Sequence, residues 1–468
     1  MEAFTISGNT NTSIESKSYE YIPLEQREGS PKQFFFTWFA ASTVSTTLVT
    51  GALAIIVGLN FWWGSLALIL GNGVGAGIMA AHSAQGPKTG TPQMIQSRVQ
   101  FGYFGVILPM VIAFIMYLGY GSVNTVLVGQ GINETLGINL NLVIIFSIIP
   151  MVLLAIYGQG IIERSMKLYT IFFAAVFIVL SILVISQLSM KLLNEGSFSF
   201  AQFLLVVSTG ITWQLTYGPY VSDHSRYMHP DNAKKTFLYT YLGSYISSTW
   251  LMILGAAIAT MTINGEVMSQ IKDLGFGIGP IIAFLLSLGL IVVNSLNIYG
   301  AGIIALSIVS NFVNFKTTIR LRTITSSVIG LLVVMTSLFG ANNFMANFQV
   351  YLGFILFFII PWSVITLTDF YILKNTNYDP RELMKKNGIF GKINIKTVSV
   401  YIVTIICQIP FINTEIYQGP ISEAFEGLDL AWLVGIIMSF FLYYAVSRTS
   451  NTLTFTQQSG DKEMQRGG

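Results

Sequence analysis

Charge is scarce in this chain. Only 10% of its 468 residues are Asp, Glu, Lys or Arg, against about 25% in an average soluble domain, whereas 53% are hydrophobic. No charged residue occurs from 33 to 87, from 99 to 133 or from 274 to 315. Each gap can hold at least one helix of the roughly 20 apolar residues needed to cross a bilayer, so a soluble globular protein is excluded. Cysteine is almost absent: Cys407 stands alone in an apolar run, which leaves no disulfide and no thiolate metal cluster. The three histidines, His82, His224 and His229, lie near the ends of apolar runs, giving a metalloenzyme little support. A membrane enzyme would need a nucleophile, a metal cluster or a carboxylate pair within the spans, and a channel would favour a repeated filter motif; neither is evident. The first 34 residues lack the apolar core of a secretion signal and are expected to form a cytoplasmic tail.

What the chain does have is a series of apolar runs. They give twelve expected spans at about 35–57, 62–82, 104–128, 141–158, 168–188, 201–221, 237–262, 279–309, 323–340, 346–370, 397–413 and 430–447. The run near 290 looks too long for one simple helix. With the N-terminus inside, 22 of the 24 Lys and Arg fall on the cytoplasmic side, and only Lys191 and Lys272 lie outside. That bias predicts the orientation, with both termini cytoplasmic in a multi-pass protein of the cell membrane. It also explains the basic pI of about 8.7 without a nucleic-acid partner.

Between the second and third spans stands GPKTGTPQMIQSRVQFGYFG, residues 86–105. Its Gly-Pro and Thr-Pro steps stop a helix, and Lys88 and Arg98 are expected to hold the loop at the anionic inner surface. GNGVGAG, residues 71–77, resembles a phosphate-binding loop only superficially; inside an apolar span its small residues predict close helix packing. Asp223, Arg226 and Asp231 cluster at the end of the sixth span and are read as a structural or gating tie.

The 86–105 segment is similar to a loop of the nucleobase:cation symporter-1 family, in its purine/cytosine permease branch. So are WFAASTVSTTLVTGALAIIVGLNFW in the first span, YLGYGSVNTVLVGQ in the third, TYGPYVSDHSRYMHPD in the sixth, NSLNIYGAG in the eighth and LTDFYILKN, which closes the tenth. These matches run from about residue 35 to 375. The resemblance implies an all-α integral membrane protein with about 12 transmembrane helices: a LeuT-like core of two inverted five-helix repeats, about 35–188 and 201–370, with two further helices at 397–447. A cytoplasmic loop at 371–396 joins them, and a cytoplasmic C-terminal tail follows at 448–468.

The first and sixth spans are expected to be discontinuous. Gly218-Pro219 removes a backbone donor inside an apolar run, tolerable at membrane depth only against protein or a cavity. In the first span the run from Ser42 to Thr47, followed by Gly51, is expected to loosen the helix, with hydroxyls replacing lost backbone bonds. Such breaks present polar backbone near the bilayer midplane, where transporter substrates bind.

A nucleobase is a flat ring with donors and acceptors on its edge, so aromatic faces and amide side chains suit it. Tyr120 stands where the family usually has a stacking Trp, and Asn124 is one turn on, at a family amide position. In the sixth span Tyr217 matches the family's second aromatic position, and Trp213, one turn earlier, competes with it. Asn297 matches an eighth-span Asn, with Asn294 on nearly the same face. Ser42 replaces a usual Asn or Gln. The resemblance implies import of a nucleobase such as cytosine or a purine, with allantoin, hydantoins, vitamin B6-like pyridines and thiamine-related pyrimidines as alternatives.

No enzymatic cofactor is expected, only a coupling cation. A sodium site in relatives uses first-span carbonyls and two adjacent hydroxyl residues; here the pair reads Ser295-Leu296, leaving Ser295 and the carbonyls near Ala41 as candidates. The lost hydroxyl favours a proton, although no carboxylate lies mid-membrane in the first, third, sixth or eighth span. Glu163 and Lys167 are further candidates near the fifth span. The protein is expected to work as a monomer in the bilayer.

Overall fold

Hydroxyl side chains shape the first span. In the computed structural model, helix α1 (Gln33–Ser42) ends at Thr43, Val44 is extended at φ −140°, ψ 155°, and α2 (Ser45–Ile56) restarts at an angle of 60° to α1. Thr43 Oγ1 donates to Phe39 O at 2.6 Å, and Thr47 Oγ1 donates to Ser42 O at 2.6 Å. These bonds replace ladder bonds that the break removes. The break falls where the hydroxyl run predicts it, but Gly51 takes no part: it lies inside α2, one turn from the end.

Gly51 instead lets two helices touch. The structure describes residues 21–157, 159–261, 266–275, 277–313, 315, 318–373, 380–414 and 416–464, leaving the side chains of 159–170 and 449–464 aside; Glu163 and Lys167 lie outside the described side chains. After α2 come α3 (Phe61–Ser83), the short α4 (Gln85–Thr89), α5 (Gln93–Gln96) and α6 (Arg98–Phe101), then α7 (Ile107–Leu136), α8 (Leu140–Tyr157), α9 (Gln159–Gln187) and the short α10 (Met190–Asn194). The second half begins with α11 (Phe200–Leu215) and α12 (Gly218–Ser225), followed by α13 (Ala233–Ala259), α14 (Val267–Asp273), α15 (Gly279–Ser310), α16 (Ile319–Gly340) and α17 (Phe344–Leu367). Then α18 (Ile395–Gln408), α19 (Pro420–Ala424) and α20 (Ala431–Met464) follow. A Cβ on Gly51 would lie 1.9 Å from Met252 O on α13, and one on Gly255 of α13 would lie 1.8 Å from Leu48 O on α2. The backbones therefore meet with no side chain between them, as small residues permit in membranes. Gly71 does the same between α3 and α11, where its Cβ would meet Val207 O at 2.3 Å; this is the close packing expected of GNGVGAG.

The helices sort into two groups. The pairs α1–α13, α2–α13, α3–α11 and α3–α13 pack extensively, and so do α7–α15, α7–α16, α8–α15 and α8–α16. Spans one, two, six and seven thus form one bundle, and three, four, eight and nine form the other. Each group pairs a span with the span five places later, the arrangement an inverted repeat generates. The peripheral helices α18 and α20 pack on α17 and on each other. The eighth span is not divided: α15 runs unbroken for 32 residues, a length a tilted helix accommodates.

The sixth span is interrupted more gently than the first. Thr216 and Tyr217 keep right-handed helical dihedrals, with Tyr217 N donating to Gln214 O and Tyr220 N to Tyr217 O, both at 3.2 Å. Pro219 lies in the first turn of α12, where a missing N–H costs least.

Two expectations about the basic face, the end carrying residues 85–105, change. Arg98 does not reach lipid: it is 5% exposed, donating to Leu383 O at 2.7 Å and Asn311 Oδ1 at 2.9 Å, with Tyr103 against its guanidinium at 4.2 Å. A guanidinium offers five donors in a fixed fork, which suits tying separate segments together. Residues 21–34 are no free tail either. Ile22 N donates to Gly90 O at 2.9 Å, and buried Arg27 donates to Ile22 O and Pro87 O, each at 2.8 Å. At the opposite face Lys272 on α14 pairs with Glu134 at 2.7 Å; the carboxylate holds the ammonium above its ordinary pKa.

Candidate functional site

The break in the first span faces a chain of amides. Thr46 Oγ1, in the first turn of α2, donates to Asn124 Oδ1 on α7. Asn124 Nδ2 donates to Asn294 Oδ1 on α15 at 3.4 Å, and Asn297 Nδ2 donates to the same oxygen at 3.0 Å. Asn294 Nδ2 donates onward to Gly121 O and Thr125 Oγ1, both at 2.9 Å. All of Thr46, Asn124 and Asn294 are buried. An amide in an apolar interior is costly unless paired, and this chain satisfies each amide while joining the two bundles. Asn294, rather than Asn297, is its centre. Asn297 is less buried and attaches through Asn294, although both lie on the face expected from their spacing.

Beside the amides lies a group of aromatic rings. Tyr217 packs against Trp38 of α1 at 5.5 Å between ring centroids, against Trp213 at 6.1 Å and against Tyr220 at 6.0 Å. Its hydroxyl donates to Ala41 O at 3.2 Å and lies 3.4 Å from Ser42 Oγ. Tyr120 stands edge-on to Trp213 at 5.9 Å and to Tyr351 of α17 at 5.4 Å, and its hydroxyl accepts from Thr216 Oγ1 at 3.4 Å. Trp213 Nε1 donates to Ser248 Oγ at 3.1 Å. Both expected sixth-span aromatics therefore join one group. Aromatic faces of this kind are suited to stacking on a flat partner.

Ser42, Tyr120, Asn124, Trp213, Tyr217 and Asn297 meet where α1, α2, α7, α11 and α15 converge. The ion candidates are differently placed: Ser295 Oγ donates to Val292 O on its own helix at 2.6 Å, while Ala41 O takes the Tyr217 hydroxyl. The quoted matches contain Trp38 and Tyr220 without marking either as a site residue and do not reach Tyr351, and Thr46 is one hydroxyl among several in its run. Among the described residues no cluster of three or more His, Cys, Asp or Glu is placed to hold a metal ion. Asp223 accepts the Gln93 N–H at 2.7 Å, so it ties the 86–105 segment to α12, the structural role expected of it.

Tyr217→Phe keeps the ring and removes the hydroxyl that bridges the sixth span to the Ala41 carbonyl. Loss of such a bond costs about 1 kcal/mol, so substrate affinity is expected to fall roughly fivefold, with the amount of inserted protein unchanged; saturation kinetics of uptake beside quantitative membrane blots check this.

The family model described as permease for cytosine/purines, uracil, thiamine, allantoin matches residues 21–435. YxlA of Bacillus subtilis, assigned as a purine-cytosine permease, is 38% identical over 442 residues, 93% of this chain and 96% of that protein. Purine-cytosine permease FCY2 of Saccharomyces cerevisiae is 29% identical over 296 residues, covering 58% of this chain and 52% of the yeast protein. Among solved structures, the inward-facing conformation of Mhp1 superposes with a TM-score of 0.76 at 15% identity, over 94% of this chain and 95% of that one. A closed conformation of Mhp1, a nucleobase-cation-symport-1 family transporter with bromovinylhydantoin bound, gives a TM-score of 0.73 at 14% identity, over 94% and 96%.

Proposed function

Because the chain belongs to the cytosine/purine permease family, nucleobase:cation symporter-1, and is a multi-pass membrane transporter rather than an enzyme, we propose that it imports a nucleobase, cytosine or a purine, by cation symport. The observation that carries this is the meeting of the Asn124–Asn294 amide chain with the Tyr120, Trp213 and Tyr217 rings at the break in the first span. Amides read the hydrogen-bonding edge of a heterocycle and aromatic faces cover its plane. The site joins two helix bundles, so a substrate held there responds to their relative movement, which alternating access requires.

The protein acts as a monomer in the cell membrane with both termini cytoplasmic, the orientation its basic face favours. The coupling ion is a proton. Ser295 is turned to its own helix, and Leu296 offers no second hydroxyl, so hard oxygen ligands for sodium are few. A second heterocycle class remains in play through Ser42, whose short hydroxyl sits beside Tyr217 and sets how large a ring edge the site admits: allantoin, a hydantoin, a pyridine of the vitamin B6 type or a thiamine-related pyrimidine.

The test is uptake of labelled cytosine and adenine into liposomes holding the purified protein, with a proton or a sodium gradient imposed separately. Accumulation driven by the proton gradient and blocked by unlabelled base is expected. Accumulation driven by sodium alone would reassign the ion, and failure of both bases under both gradients would move the substrate to the other heterocycles.

A further inference from the structure

His82 ends α3 inside the protein, not at its surface: it is 0% exposed. Its ring stacks on Trp362 of α17 with centroids 4.8 Å apart and planes 7° from parallel. Nε2 lies 2.7 Å from Ser363 Oγ, also on α17, and Nδ1 lies 3.3 Å from Gln93 Nε2 on α5. The His82 carbonyl accepts from Ser222 Oγ of α12 at 2.7 Å, and Gly218 packs against both rings, with space for a Cβ only at 3.3 Å from Trp362 and 3.6 Å from His82. The imidazole therefore sits where the first bundle meets α17 at the basic face.

Its partners can serve two protonation states. Gln93 Nε2 also donates to Gln85 Oε1 at 2.9 Å, and this leaves Gln93 Oε1 and Gln85 Nε2 buried without a partner. In this arrangement Nδ1 accepts, as a neutral imidazole protonated at Nε2 requires. Turning both amides by half a turn, an exchange of O and N that leaves the shape unchanged, lets Gln85 donate to Gln93 Oε1 and lets that oxygen accept from a protonated Nδ1. The number of hydrogen bonds is the same before and after. Nε2–H donates to Ser363 Oγ in both, and the Trp362 face favours the cation.

On this geometry we propose that His82 is the residue that binds the proton of the transport cycle, an assignment that rests on the proton-coupled reading above. The proton comes from water, adds to the Nδ1 lone pair and returns to water from the same atom, with the Gln93–Gln85 amides turning as it does so. Separation of α12 and α3 from α17 parts His82 from Trp362 and Ser363 and opens the ring to water, which links protonation to opening of the basic face. The charged and titratable groups on the elements around it are Tyr220, Asp223 and His224 on α12 with Arg226 directly after it, Lys88 on α4, and Asp369 and Tyr371 just after α17; α13 faces this end of α3 with uncharged Thr240. Asp223 joins the cluster through the Gln93 N–H, and Tyr371 donates to Ala81 O at 2.7 Å.

A protonated imidazole stacked on an indole quenches its fluorescence, so the purified full-length protein reports the proton without any substrate. Emission is expected to fall as the pH is lowered, by up to about the share of one of the seven Trp residues. Both His82→Gln and Trp362→Phe are expected to abolish the fall, and Gln93→Leu to move it to lower pH. In liposomes, one pH unit supports up to about tenfold accumulation per proton, and His82→Gln is expected to reduce this to about onefold. A fall that persists in His82→Gln, a flat response in the unsubstituted protein, or proton-driven accumulation unchanged by His82→Gln overturns the proposal. Should His82→Gln not fold, Trp362→Phe, which keeps the histidine, and Gln93→Leu decide it. A pH-dependent fall with no uptake of cytosine or adenine removes the nucleobase assignment and leaves the proton site standing.

Discussion

Asn124→Ala is expected to cut cytosine uptake at sub-saturating substrate by roughly 5- to 150-fold while leaving insertion intact. The range follows from what the amide does. It accepts from Thr46 and donates to Asn294; its removal strands the buried Thr46 donor on α2, worth about 1–3 kcal/mol when left unsatisfied, while Asn294 Oδ1 keeps the bond from Asn297. In the proposed role it also withdraws a hydrogen-bond group from the edge of the bound base. Alanine is the best helix former, and α7 is continuous through this position, so the helix itself does not suffer. Uptake at several substrate concentrations, normalised to protein in the liposomes, is the measurement. An unchanged KM would show that the amide chain is scaffolding only.

Gly51→Val is expected to be the more destructive substitution, acting on folding rather than on binding. The new side chain would begin 1.9 Å from Met252 O, and its neighbour is backbone, which cannot rotate out of the way. Overpacking of a side chain against side chains costs about 1–3 kcal/mol and occasionally more; against a helix backbone the helices must part, and α2 loses its fit to α13. The variant should leave detergent extraction as aggregate or show a much lower thermal transition. Gly77→Ala on α3 is the control: nothing lies within 4 Å of a Cβ there, and helix propensity favours Ala over Gly by about 1 kcal/mol. Equal behaviour of the two variants would refute the close-contact argument.

Most of the expected spans, and the meeting of the candidate residues, were legible because they depend on short-range pattern; among the described residues eight helices are long and apolar enough to cross a membrane, or nine with the bent first span. Apolar runs mark helices, and a hydroxyl run next to β-branched residues marked the first break correctly between Ser42 and Thr47. Tyr120 with Asn124, and Trp213 with Tyr217, are each a turn apart, so placing one residue places the other. What depends on a partner distant in sequence was not legible. Gly51 reads as flexibility until Met252 is found against it. Arg98 reads as a lipid anchor until Leu383 and Asn311, more than two hundred residues away, accept its protons. His82 reads as an end-of-span polar residue until Trp362 and Ser363 close over it. Asn294 and Asn297 share a helical face, and only the positions of Asn124 and Gly121 on α7 decide which of them is central.

The glycine contacts of the first bundle also bear on stoichiometry. Where α2 meets α13 and α3 meets α11, backbone lies on backbone, and there is no flexible side chain to absorb a displacement. Like meshed gears with little backlash, α2 and α13, and α3 and α11, are expected to move together, so that a shift of one is passed to the other. In the proposed symport, tight coupling of one substrate to one ion is expected to depend on that stiffness, because play between the helices would let ions cross alone.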